Sequence, residues 1–125
     1  MRHDIVSDMF YVIDNAEKAG RKYCTVPASS VAKDILMVME RCGYIGKIEP
    51  AEGRKFSVEL LGKINRSRAI KPRFAVGRRE YEKFEKRFLP SRDFGILIVS
   101  TSKGVLDQKQ AAKLGLGGRL LGYVY

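Results

Sequence analysis

The sequence predicts an α+β protein made of two small α/β domains. Residues 1–62 read as an N-terminal α-β-α-β-β unit, and residues 63–125 as a C-terminal, mostly antiparallel β-sheet with a short helix. Three observations predict it. Apolar residues recur at helical spacing twice in the first half. Short β-prone runs bounded by Gly or Pro recur through both halves. Charge also splits the chain: residues 1–62 hold nine Lys/Arg and nine Asp/Glu, residues 63–125 fifteen and five, so the second half carries the whole net charge of +10. A length of 125 residues suits one ordinary domain or two very small ones.

Residues 4–19 place Ile5, Met9, Val12, Ile13 and Ala16 on one helical stripe. Asp4 and Asp8 stand early, Lys18 late and Gly20 after it, which suits the helix dipole and a left-handed cap. Tyr23 to Val26 is a short β-prone run ended by Pro27. Ser29 or Ser30 can cap a second helix carrying Val31, Ile35, Leu36, Val38 and Met39, stopped by Gly43. Tyr44 to Ile48 and Lys55 to Leu61 read as strands joined around Pro50 and Gly53; Phe56, Val58 and Leu60 alternate with Ser57 and Glu59, as on a sheet with one buried face. The carboxylates of this half read as solvated helix faces, and no catalytic grouping emerges.

Gly62 to Lys71, polar and basic, is the natural boundary. Lys71 to Val76 should be extended, because Pro72 biases Lys71 away from helix. Tyr81, Phe84 and Phe88 recur at helical spacing, so Glu80 to Phe88 forms either a short helix or an ordered excursion between strands. Its aromatics anchor the segment on the core, or Tyr81 is free to stack on a base. Phe94 to Val99, the most apolar run, should be a central strand, with Ser100-Thr101-Ser102-Lys103-Gly104 directly after it. Asp107 can cap a helix from Gln108 to Leu114, closed by Gly115, before Gly117-Gly118-Arg119 leads into a last strand, Leu120 to Tyr125.

Composition narrows the function. Hydrophobic residues at 45% and charged residues at 30% are those of a folded protein, and no apolar run nears the roughly 18 residues that cross a bilayer. Met1-Arg2-His3-Asp4 meets acid too early for a secretory signal, so the expected protein is soluble and stays where it is made. Two cysteines, Cys24 and Cys42, give no disulfide framework and no four-ligand zinc site. The only histidine is His3, which leaves any enzyme without its usual proton carrier. One neutral and one strongly basic half point to a polyanion. Three glutamates within Glu80 to Phe88 would repel anionic lipid, so the partner expected is nucleic acid and not a membrane.

The run from Ser100 to Gly104 puts three hydroxyls and an ammonium at the exit of a strand. Hydroxyls donate and accept, which fits ribose hydroxyls and base edges in the shallow groove of RNA. Lys103 would meet phosphate, and Gly117 and Gly118 would let a backbone come close to the ligand. The reading requires both turns to meet on one solvent-facing side. Gly115 to Gly122 superficially resembles a dinucleotide fingerprint, but it leads into a strand, only ten residues remain, and no phosphate-binding loop occurs; no cofactor and no metal are expected.

Ser100-Thr101-Ser102-Lys103-Gly104-Val105, a short helix, then Gly115-Leu116-Gly117-Gly118 and a Tyr123-Val124 ending strongly resemble the eighth-protein family of the small ribosomal subunit. Gly43-Tyr44-Ile45 and Lys63-Ile64 extend the resemblance over essentially the whole chain. Ile70 to Phe74 and the run from Tyr81 through Arg92 resemble the archaeal and eukaryotic branch. Bacterial members typically carry glutamate where this chain has Arg119, so the role of that glutamate in fixing the motif does not transfer.

The resemblance implies a non-enzymatic, cytoplasmic ribosomal protein that binds the central domain of small-subunit ribosomal RNA early in assembly, mainly through its C-terminal domain. Other small-subunit ribosomal proteins would be partners, and some family members also bind their own messenger RNA. The candidate RNA-contacting residues are Ser100, Thr101, Ser102, Lys103, Gly104, Gly117, Gly118 and Arg119, with Arg66, Arg68, Lys71 and Arg73 at phosphates. The alternatives are a small nucleic-acid-processing enzyme, which would draw on Glu80, Glu82, Glu85, Asp93 and Asp107, and a protein-binding module with a basic face.

Overall fold

A computed structural model describes residues 4–91 and 93–125. The readings placed on His3 and Arg92 lie outside the described residues. The chain is α+β and runs α1 (Ile5–Lys18), β1 (Tyr23–Pro27), α2 (Ser30–Arg41), β2 (Ile45–Ala51), β3 (Lys55–Leu60), β4 (Ser67–Ala69), β5 (Ala75–Val76), α3 (Tyr81–Phe88), β6 (Ile96–Thr101), β7 (Gly104–Asp107), α4 (Gln108–Lys113) and β8 (Gly118–Val124). It divides into two compact units between Arg68 and Ala69.

The first unit is an antiparallel sheet in the order β1-β3-β2 with α1 against β1 and α2 against β2. Both helices start on side-chain caps, that of α2 the expected Ser29: the Asp4 carboxylate accepts from the Val6 amide at 2.9 Å, and the Ser29 hydroxyl from the Ala32 amide at 3.1 Å. The buried stripe of α1 is Val6, Met9, Phe10, Ile13 and Ala16, joined by Ile35, Leu36, Met39, Val26 and Val58. Ile5, expected on that stripe, is exposed, because it stands in the first turn one position before the buried period begins.

One carboxylate departs from the expected solvated faces. Asp14 is 1% exposed on α1, where Oδ1 accepts from the Ser67 amide at 3.1 Å. Its Oδ2 pairs with Lys18 at 3.1 Å and Arg68 at 3.4 Å, and the Ser67 hydroxyl donates to the Phe10 carbonyl at 2.9 Å. The Glu17 carboxylate accepts from the Ile64 amide at 3.3 Å, and its burial pushes its pKa above the ordinary range. These bonds tie residues 64–68 to α1, so the first unit continues past Gly62 to Arg68.

The second sheet has the order β4-β8-β6-β7, with β5 also on β8. Its core is Ile70, Val76, Tyr81, Phe84, Leu89, Leu97, Val99, Leu106, Ala111 and Leu120. The central strand starts at Ile96 and not at Phe94, which is 46% exposed. Glu80 to Phe88 resolves as helix α3, whose Phe84 and Phe88 rings lie 5.9 and 6.4 Å from Phe74. Gln108, buried at the start of α4, accepts from the Leu97 amide at 2.8 Å and donates to Glu85 at 3.1 Å. That pair of bonds fixes α4 and α3 against β6 before the ends of the sheet are reached.

Candidate nucleic-acid interface

Strand β6 is buried from Ile96 to Val99 and reaches solvent at Ser100. Thr101 pairs with Gly104 in a hairpin whose tip is Ser102-Lys103. Gly104 carries the positive φ of the turn, 106°, which a side chain would strain. The Thr101 hydroxyl donates to the Gly104 carbonyl at 2.7 Å and accepts from the Lys103 amide at 3.1 Å. Thr101, expected to contact RNA, therefore spends its hydroxyl on the shape of the turn. Ser100, Ser102 and Lys103 are exposed beside it.

The glycine-rich turn is built from the other side. Helix α4 ends at Lys113 with Leu114 as its cap, and the Leu116 amide returns to the Ala111 carbonyl at 2.9 Å. Tyr81, 4% exposed, donates its hydroxyl to the Leu116 carbonyl at 2.7 Å, and burial pushes its pKa up. Tyr81 is thus a strut under the turn and not a free stacking ring. A Cβ at Gly117 would stand 2.5 Å from the Val76 carbonyl oxygen, and one at Gly118 would collide with the Ser100 carbonyl oxygen. Both missing side chains would point into the protein. The glycines let neighbouring backbone segments of this chain meet.

Register then brings the two turns together. Ser100 at the end of β6 is paired with Arg119 at the start of β8, Arg119 with Ala75 on β5, and Ser100 with Val105 on β7. Directly opposed residues share a sheet face, so Ala75, Arg119, Ser100 and Val105 form one row across four strands. All but the half-buried Val105 are exposed. One guanidinium nitrogen of Arg119 donates to the Arg73 carbonyl at 3.3 Å. Bonds from the Ile70 amide to Leu121 and from the Leu120 amide to Phe74 keep residues 70–76, with the exposed Lys71 and Arg73, along β8.

The remaining basic candidates stand in the first unit. Arg66 is exposed there, whereas Arg68 is turned onto the buried Asp14 carboxylate. One of its guanidinium nitrogens makes this ion pair inside that unit, and its side chain is 36% exposed. Sequence reasoning passed over the turn from Gly77 to Glu80: Gly117 packs so closely that its Cβ would stand 3.2 Å from the Arg78 amide nitrogen. Two adjacent arginines in the most basic stretch were the available signal, but their neighbour across the sheet is fixed only by folding.

The model of the family described as ribosomal protein S8 matches residues 4–125. The chain belongs to that family. It is 53% identical to a small ribosomal subunit protein uS8 of Archaeoglobus fulgidus, with both chains covered in full. It is 46% identical to the protein of the same name in Methanococcoides burtonii, over 98% of this chain and 97% of that one. Both relatives are archaeal, in line with the branch that residues 70–74 resemble. In this S8-family chain, the position where the bacterial pattern has glutamate holds an arginine anchored to the Arg73 carbonyl.

The five acids that an enzyme would draw on are all engaged. Glu80 accepts from the Gly77 amide at 2.7 Å, Glu82 pairs with Lys86 at 3.7 Å, and Glu85 holds Gln108. Asp93 pairs with Lys109 at 3.8 Å, and Asp107 caps α4 through the Gln110 amide at 3.3 Å. Among the described residues, no three His, Cys, Asp or Glu side chains are grouped to hold a metal ion. No described helix is long and apolar enough to cross a membrane.

Proposed function

We propose that this chain is a structural, non-enzymatic constituent of the small ribosomal subunit, in the cytoplasmic ribosome, that binds the central domain of small-subunit ribosomal RNA directly and helps it assemble. Membership of the ribosomal protein S8 family supports the ribosomal role. One observation carries the site: the Ser100–Arg119 pairing, which sets the hydroxyl-bearing hairpin and the glycine-rich turn side by side on an exposed end of the second sheet. Ser100 and Ser102 contact sugars and base edges there. Lys103, Arg119, Lys71 and Arg73 neutralise phosphates there, and Arg66, exposed in its own unit, is a separate phosphate contact. Thr101, Gly104, Gly117 and Gly118 hold the two turns in shape. Neighbouring small-subunit proteins are further partners, and the same surface would take its own messenger RNA where that RNA imitates the ribosomal site.

Filter binding to an in vitro transcript of the central domain, over a range of salt concentrations, tests this. Ser102→Ala should weaken binding by about 1–3 kcal/mol, the cost of an unpaired partner at a buried contact, with little change in salt slope. Lys103→Ala should instead lower the slope by about 0.7–0.9 in log–log terms. Full affinity and slope in both variants would remove this end of the sheet from the RNA interface.

A further inference from the structure

We infer that Arg78 and Arg79 form a second cationic arm of the RNA site, held in place by Gly117. The inference rests on the RNA-binding reading above and extends it to residues that neither the motifs nor the family comparison assign.

Residues 77–80 form a closed turn. The Glu80 amide donates to the Gly77 carbonyl at 2.9 Å, and the Gly77 amide donates to the Glu80 carboxylate at 2.7 Å. The acid of the turn is thereby folded back onto its own backbone, and the two tip residues, Arg78 and Arg79, are exposed. Neither has a carboxylate within ion-pair distance among the described residues. Two arginines side by side and unpaired repel each other in the free protein, and an RNA phosphate would relieve that repulsion.

The turn is also fixed in position. Val76 pairs with Gly118, and a Cβ on Gly117 would lie 2.5 Å from the Val76 carbonyl oxygen and 3.2 Å from both the Gly77 Cα and the Arg78 amide nitrogen. Only a residue without a side chain lets the 77–80 turn seat against the glycine-rich turn. Tyr81, directly after it, is bonded to the Leu116 carbonyl. The turn that carries the arginine pair is therefore clamped from both ends, on the β5 side of β8, with the Ser102-Lys103 hairpin on the other side of β8 in strand order. A turn whose backbone is already fixed loses less freedom when its arginines meet phosphate than a loose loop does.

The test compares the full-length protein with Arg78→Ala/Arg79→Ala and Arg78→Lys/Arg79→Lys, alongside Lys103→Ala, on the central-domain transcript and an unrelated RNA hairpin. The alanine pair should lower the salt slope by about 1.4–1.8, twice the value for one phosphate contact, and leave the preference for the cognate RNA nearly unchanged. The lysine pair should keep the slope, because charge is retained. Circular dichroism should be native in both, as these side chains are exposed. An alanine pair with unaltered slope and affinity, while Lys103→Ala lowers both, would overturn the inference and leave the RNA site standing. No effect from any variant would overturn site and inference together.

Discussion

Ser67 and Ser102 are the same residue in two kinds of surroundings. In the first unit Ser67 is buried, with its amide on Asp14 and its hydroxyl on the Phe10 carbonyl. In the second, Ser102 stands exposed at the tip of a hairpin whose internal bonds are made by Thr101. The arginines divide likewise. Arg68 is drawn onto a buried carboxylate, whereas Arg119 uses one nitrogen on the Arg73 carbonyl and leaves most of its donors outward. Around Asp14 the first unit spends its polar groups on its own construction. The second builds the hairpin turn from backbone, glycine and one threonine, and leaves Ser100, Ser102 and Lys103 exposed.

Removing Asp14 should break that division most severely. Asp14→Ala leaves the buried Ser67 amide without an acceptor and strips two cations of their partner, at a cost of about 3 kcal/mol. Urea unfolding should show it as a lower midpoint, while transcript binding by the folded protein is retained. A loss of RNA affinity equal to the loss of stability would mean that this cluster serves the interface after all.

Gly118→Ala attacks the other unit and should cost about 2 kcal/mol, because the new Cβ meets the Ser100 carbonyl, which cannot swing away as a side chain would. Here stability and RNA affinity should fall together. Wild-type affinity with reduced stability would separate the alignment of the two turns from recognition.

A smaller effect sharpens the same contrast. Burial raises the Glu17 pKa above its ordinary value of 4.5, so the folded state holds this proton more tightly than the unfolded state does. The group therefore costs stability as pH rises from that ordinary value through the raised one. Glu17→Gln should flatten this part of the stability–pH curve, read from urea midpoints between pH 4 and about 7, without altering RNA binding.

What could be read from the chain beforehand was local. The caps at Ser29 and Asp107, the alternation in β3 and the apolar run of β6 act over a few neighbouring residues and are found in place. Strands β4, β5 and β7 are two to four residues long and exist because β8 and β6 offer them partners, so no run of their own announces them. The candidate site divides on the same line. Ser100, Ser102 and Lys103 were legible as composition at a strand exit. The inward aim of the missing side chains at Gly117 and Gly118, and the commitment of Arg68 to Asp14, depend on residues far away in sequence.

The Gln108 side chain has a consequence for how this molecule behaves in a crowd. Strand β7 reaches only as far as Asp107 opposite Ile98, which would leave the Leu97 amide as an open rung on a long apolar strand. Such a rung invites a strand from another copy to add itself. The Gln108 carboxamide occupies it at 2.8 Å, and Glu85 holds the carboxamide from behind. A single glutamine plugs the gap in the ladder and leaves no open rung there for another strand.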